Sequence, residues 1–547
     1  MKNILFLFLL LPVFAFAQKL KKADKQLVES LRTHITYLAD DKLEGRRAGT
    51  PGEALAVKYI TEKFISAGLT PKGDNNSFLQ PFTIDEGREL LKSSIFNVNG
   101  KDLKPGVEFY PLGFSPDTKL IESLSSVSIA ERGSPWFLNL AEGLIANKDN
   151  PHFDQVTWIR AQIKNASDKG STAVVLYNTE ANADELKFDG KDKSDKASIP
   201  VLYVTQKAWM ENFSDAEASY DLRIKIETAP KSRTAHNVVG YIDNGAASTV
   251  VLGAHFDHLG YGEDGNSMIR TGEKLIHNGA DDNASGTAAL LELARLLKKS
   301  KLRNQNYLFI AFSGEELGLF GSKYFVEHPT VDLRTVNYMI NMDMVGRMND
   351  TTKMVTVGGY GTSPTWASVV KTNAKTGFGI KIDSSGTGPS DHTSFYRKDI
   401  PVLFFFTGIH SDYHKPTDDA PRINYIGEWQ IIRFITEIIS SASTTGKLVF
   451  TKTREQQMGT SSRFTVSMGI IPDYTYAGSG VRVDGVSEGR AAQKAGLKAS
   501  DVVVQLGDYK VSSVQSYMEA LAKFKKGDAT KVVVKRGAEE LVFDINF

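Results

Sequence analysis

Thr249–Gly260 reads TVVLGAHFDHLG, an apolar run of strand character that ends on His255, with Asp257 two residues further on. A run apolar at nearly every position suits a strand buried on both faces of a sheet. The pattern recurs downstream. Tyr307–Phe312 leads into FSGEELGLFGS, which carries Glu315 and Glu316. Tyr338–Met342 leads into Asp343 of NMDMVG, and Val402–Phe406 leads through a loop to His414 of DYHKPTDD. Asp282 of NGADDNASG stands just before Ala284–Leu297, a helix apolar at Ala288, Leu291, Leu293, Ala294 and Leu297. Strands alternating with helices predict an α/β fold, a mixed, largely parallel sheet sandwiched by helices. In such sheets sites gather at the carboxyl ends of the strands. His255, Glu315, Glu316 and Asp343 all sit there in the sequence.

Two imidazoles and three separated carboxylates suit two divalent ions held by one shared carboxylate. Asp282, in a tight turn before a helix, is the expected bridge. His255 and Asp343 are expected to complete one ion, Glu316 and His414 the other. Glu315 is then spare, and adjacent residues at a strand end point in different directions, so Glu315 is expected to act as general base. Asp257 is expected to accept the second imidazole N–H of His255 and fix its tautomer. Tyr413 is the candidate donor to a developing oxyanion. His258 is expected to be solvated, and His277 to line the site without binding metal. Asp391, in Ser390-Asp391-His392, is read as lying behind the ligands or contacting substrate. No G-x-S-x-G elbow marks a serine hydrolase.

The chain has 547 residues, enough for several domains. Lys+Arg 65 against Asp+Glu 64 gives no global field for nucleic acid, and no such partner is expected. With Cys 0, disulfides and thiolate ligands are excluded, leaving His and carboxylate for any metal. Lys2, the apolar run Ile4–Phe16 and Ala15-Phe16-Ala17 read as a signal peptide cleaved after Ala17, which predicts a periplasmic or secreted bacterial protein. That run is shorter than the roughly 20 residues of a spanning helix, and no later stretch is long enough either.

The motifs GAHFDHLG, GADDNASG, FSGEELGLFGS, NMDMVG, SDHTSF and YHKPTDD, in that order, resemble the secreted double-zinc aminopeptidases related to glutamate carboxypeptidase II. The resemblance implies a zinc exopeptidase fold and two Zn2+ per chain, with His255, Asp282, Glu316, Asp343 and His414 as ligands and Glu315 as base. It also implies a cis peptide between Asp282 and Asn283, although that family usually has a second Asp where Asn283 stands. The Gly-rich charged loop Gly262–Lys274 departs from the smaller members and bears on specificity. KGSTAVVLYN and IPVLYVTQ resemble a protease-associated domain. Met468-Gly469-Ile470 and Gly480–Asp508 (GVRVDGVSEGRAAQKAGLKASDVVVQLGD) resemble a bacterial protease-type PDZ domain, which implies a peptide C-terminus as a possible partner.

The organisation expected is signal peptide 1–17, peptidase domain 18–115, insert 116–230, catalytic part 231–448, linker 449–462 and PDZ domain 463–547. Within it, 24–70 reads as helix, loop, helix, the loop being GRRAGTPG (Gly45–Gly52). The expected activity is removal of N-terminal residues from peptides. A carboxypeptidase of the same fold, using Arg347 for the terminal carboxylate, is one alternative. A catalytically dead peptide-binding protein is the other.

Overall fold

The computed structural model describes residues 21–147, 153–179, 186–213, 215–269, 273–370, 376–453, 466–473, 476, 478–486, 490–525 and 527–547. The signal peptide read at 1–17 lies outside the described residues, as do 270–272 of the Gly262–Lys274 loop.

The central sheet has the strand order Thr70–Pro71, Thr228–Ile242, Asn306–Phe312, Thr249–His255, Val336–Met342, Val402–Phe406, Met354–Gly358, Gly379–Ile382. Leu79–Leu90 pairs separately with Thr228–Ile242. The four inner strands, from Asn306–Phe312 to Val402–Phe406, are mutually parallel. Antiparallel pairings flank them on both sides. Three of the inner strands are buried at every position, which is why each reads as a largely apolar run.

Register brings the site together. His255 lies opposite Phe312, and Gly253 lies opposite Asn341, so two residues on, Asp343 stands level with His255. The turns after three parallel strands therefore open at one edge.

Helices Lys22–Leu38, Pro51–Ala67, Gly286–Lys299 and Tyr425–Ala442 cover one face, and their apolar stripes join the sheet in one core. Phe320–Glu327 and His392–Tyr396 cover the other. Phe309 and Ile340 are fully buried, and each contributes about 1.5–3 kcal/mol by leaving water. The sheet supplies stability, and the buried acids at its edge cost it.

The insert begins earlier than expected. Ile95–Val98 pairs with Ser219–Lys225, and Phe109–Pro111 pairs with Val201–Val204. Phe96 and Phe109 are buried among Val175, Leu202 and Leu222 rather than in the peptidase core. The insert therefore starts near Ile95, not at 116. Its two four-stranded sheets grow from the paired arms Leu79–Leu90 and Thr228–Ile242.

The linker also needs correcting at its start. Phe450 packs on Tyr396, Thr451 N–H donates to Thr362 O (2.8 Å) and Thr453 N–H to Tyr396 Oη (2.9 Å). Residues 449–453 thus belong to the peptidase surface, and the rest of the stretch read as linker, 454–462, lies outside the described residues. The C-terminal unit has its own core, including Met468, Val483, Val503, Leu506 and Val534. It touches the peptidase through Asp473 Oδ1 and Lys323 Nζ, 2.9 Å apart, on the helix that follows the Glu315–Glu316 turn.

Candidate metal centre

Five of the side chains read as metal ligands converge. His255 ends its strand almost fully buried, with Nε2 3.4 Å from Asp282 Oδ1 and 3.4 Å from Asp343 Oδ1. His414 Nε2 lies 3.4 Å from Asp282 Oδ2 and 3.2 Å from Glu316 Oε2. Asp282 therefore gives one oxygen to each side. A tetrahedral zinc with bonds of about 2.0–2.1 Å spaces its ligands about 3.3–3.4 Å apart. The gaps between these N and O atoms match the edges of two such tetrahedra sharing Asp282. The donor set of imidazole and carboxylate suits zinc.

The local backbone is built for this. The Asp282–Asn283 peptide is cis, as the resemblance implied. Asp418 Oδ2 accepts the N–H groups of both Asp281 and Asp282 at 3.0 Å. Asn283 Oδ1 accepts from Gly286 N (2.8 Å) and Met344 N (3.1 Å), and its Nδ2 donates to Met342 O (3.0 Å). This side chain clips the Asp282 turn to the Asp343 turn. Gly314 holds a left-handed conformation (φ 68°) that swings Glu315 and Glu316 inward. His414 Nδ1 faces Asn266 O at 2.9 Å, which orients Nε2 to the site.

The Asp257 carboxylate does not take the expected hydrogen bond from His255. His255 Nδ1 lies 3.2 Å from the Asp257 carbonyl oxygen and 3.6 Å from its Oδ1. The hydrogen bond thus goes to the carbonyl, and the carboxylate instead accepts Glu315 N–H at 3.1 Å. His258 departs from expectation. It is buried, not solvated, with Nδ1 2.7 Å from Glu316 Oε1. That is hydrogen-bonding distance, so His258 holds one Glu316 oxygen and leaves Oε2 for the site. With Asp282 and Glu316 it also forms a triad of donor atoms within 4.8 Å of one another. The chain after His255 is held down by a His258 N–H bond to Arg46 O (3.3 Å), so both Asp257 and His258 turn inward. His277 bonds Ser267 Oγ (2.8 Å) and faces Leu275 O (3.0 Å), within its own loop.

Electrostatics fit a cation. Burial lowers the His255 imidazole, but Asp343, Glu315, Asp257 and Asp282 outweigh it and raise it well above the usual range. Burial likewise lowers His414, and Asp282 and Glu316 raise it to about 11. Positive charge is wanted at both nitrogens, and a dication supplies it while leaving the lone pairs free to bind. Burial, with Asp343, Glu316 and Asp391, raises Glu315 well above the carboxylate range despite His255. Glu315 Oε2 lies 3.9 Å from His255 Nε2. Burial raises the phenol of Tyr413, as do Asp282, Glu316, Glu315 and Asp343, so it stays protonated and able to donate. Its ring stacks on His414 at 3.9 Å.

Asp391 is fully buried, with no hydrogen-bond partner for either oxygen among the described residues. Burial raises it to about 7, and neighbouring His255 pulls it down; nearby Ser322 is bonded to Ser394. Arg347 is committed to Asp412 Oδ2 through two nitrogens at 3.2 Å.

Residues 237–439, which hold these side chains, match Peptidase family M28. The match is confined to this part of the chain. Residues 456–547 match the PDZ domain. Aminopeptidase YwaD of Bacillus subtilis (strain 168) is 28% identical over 274 residues, 48% of this chain and 55% of that protein. Leupeptin-inactivating enzyme 1 of Streptomyces exfoliatus is 35% identical over 169 residues, 29% of this chain and 37% of that protein. A solved zinc aminopeptidase from Bacillus subtilis aligns with a TM-score of 0.42 and 21% identity, over 76% of this chain and 95% of that one. The chain spans about half the length of the first of these curated relatives. Sequence reasoning gave no role in the site to three residues that shape it: His258, Asp418 and Asn283. Asp418 lies within DYHKPTDD, so its place in the motif was visible and its bonds to the Asp282 turn were not.

Proposed function

We propose that the chain is an exported aminopeptidase that holds two Zn2+ and hydrolyses N-terminal residues from peptides. The observation that carries it is the Asp282 carboxylate, one oxygen facing His255 and the other His414, each at 3.4 Å. His255, Asp343 and Asp282 would hold one ion, and His414, Glu316 and Asp282 the other. When bound, zinc supplies a Lewis acid for the scissile carbonyl and a lowered pKa for water.

The chain's own residues do the rest. Glu315 takes the proton of the attacking water on its raised carboxylate and returns it to the leaving amine. Asp257 holds the Glu315 backbone in place for that transfer. Tyr413 donates its hydroxyl to the carbonyl oxygen as charge develops there. The acidic surroundings of the site favour a substrate α-ammonium. Arg347, tied to Asp412, offers no free cation for a terminal carboxylate, which counts against a carboxypeptidase. The relatives named as aminopeptidases support the same direction. The signal-like N-terminus supports export, and the insert is read as a protease-associated domain. The PDZ domain is read as a receiver of peptide C-termini.

The test compares peptides with free, amino-blocked and carboxyl-blocked ends, with and without a chelator. Cleavage of free and carboxyl-blocked peptides, abolished by an amino block and by chelation, is expected. Cleavage that survives an amino block and fails with a carboxyl block would overturn it.

A further inference from the structure

We propose that Gly45–Glu53 (GRRAGTPGE) is a brace that sets the spacing of the zinc-ligating turns, with Arg46 as its positioning residue; the inference rests on the two-zinc reading above. Arg46 is fully buried. Its Nε donates to Phe256 O (2.7 Å), Nη1 to Asn278 O (2.6 Å) and to Leu38 O, and Nη2 to Gly279 O (3.0 Å). Phe256 stands between His255 and Asp257. Asn278 and Gly279 open the turn that carries Asp282. One planar guanidinium thus bolts the His255 turn to the Asp282 turn.

All four acceptors are carbonyls, so no single carboxylate captures the charge. It faces Asp257, Asp418, Asp282 and Glu316 together, beneath the site. A rigid fork of donors can span several carbonyls, and a lysine ammonium, a point donor, cannot.

The backbone is bent to achieve this. Glu44, Gly45 and Arg46 are all left-handed, at φ 46°, 67° and 48°. A Cβ at Gly45 would stand 2.5 Å from His277 O and 2.8 Å from Gly260 O. Non-glycine residues keep such conformations where their surroundings force them, and such places concentrate at functional sites. At the other end, buried Glu53 takes Ser313 Oγ–H (2.6 Å) and His236 N–H (3.0 Å) on Oε1 and Gly49 N–H (3.1 Å) on Oε2. Ser313 opens the turn of Glu315 and Glu316. Two buried charges of opposite sign, on one short stretch, therefore anchor three ligand-bearing turns.

The test uses the full chain and the variants Arg46→Lys and Glu53→Gln. Zinc affinity is measured by competition with a chromophoric chelator, thermal unfolding is followed in EDTA, and kcat and KM are read at saturating zinc. The expected result is zinc affinity weakened about 10–100-fold at one or both ions, with kcat lowered and KM near wild type. Variants that melt earlier in EDTA yet bind two ions with wild-type affinity and turn over normally would overturn the brace and leave a purely structural role. Should Arg46→Lys fail to fold, Glu53→Gln, of equal size and still an acceptor on Oε1, carries the same readouts. Wild-type protein that binds no zinc would sink the two-zinc reading itself, and the brace with it. Wild type with two ions and unaltered variants would sink the brace alone.

Discussion

Asp257 accepts the backbone N–H of Glu315 at 3.1 Å. The same residue faces His255 Nδ1 through its carbonyl at 3.2 Å. One aspartate thereby ties the proposed base to an imidazole proposed to hold zinc, and the two should fail in different ways. Glu315→Gln is expected to lower kcat about 10²–10⁴-fold with zinc content and KM unchanged. Asp257→Asn keeps an acceptor for the Glu315 N–H and should cost about 10–100-fold. Steady-state kinetics with metal analysis checks both, and a Glu315→Gln protein of normal turnover removes the assigned base.

Tyr413→Phe keeps the ring that stacks on His414 and loses only the hydroxyl. If that hydroxyl steadies the oxyanion, kcat should fall about 10²–10³-fold with KM little changed. An unaffected kcat would reduce Tyr413 to a packing residue.

His392 gives a prediction on pH. Burial against Phe404 lowers its imidazole to about 3, so it stays neutral in the folded protein while the unfolded chain takes up a proton near 6.5. The unfolded state binds more protons between those values, so stability falls as pH drops from about 6.5 toward 3. At pH 5 the loss from this group is about 2 kcal/mol relative to pH 7. Urea unfolding of wild type and His392→Gln at the two pH values measures it. The variant should lose about 2 kcal/mol less between them, and an equal loss in both proteins would contradict the assignment.

Removing metal should destabilise as well as inactivate. Asp282, Glu316, Asp343 and Glu315 crowd one site, and a ligand present at a thousand times its Kd contributes about 4 kcal/mol to the folded state. Calorimetry with and without EDTA should show a lower Tm for the stripped protein, restored by zinc.

Much of this was legible because the inner strands are buried on both faces. A strand such as Thr249–His255 has no polar face to blur its ends, so the first polar residue after it marks the sheet edge. Parallel register then gathers those edges. His258 was not legible, since periodicity does not tell which way a chain turns once a strand has ended. The roles of Asp418, Asn283 and Arg46 lay in bonds to backbone groups, in Arg46's case 210 and 232 positions away, which side-chain type does not encode. The insert's first strand, IFNV at Ile95–Val98, is too short to stand out from its surroundings. Thr451 and Thr453 read as linker because they are held by hydrogen bonds to Thr362, Tyr396 and Gly386, not by an apolar pattern.

The most direct test is anomalous diffraction at the zinc edge from crystals of the full chain grown with zinc. Two peaks are predicted, one on either side of the Asp282 carboxylate, the first touching His255 and Asp343 and the second His414 and Glu316. A single peak, or none within reach of Asp282, would contradict the paired site.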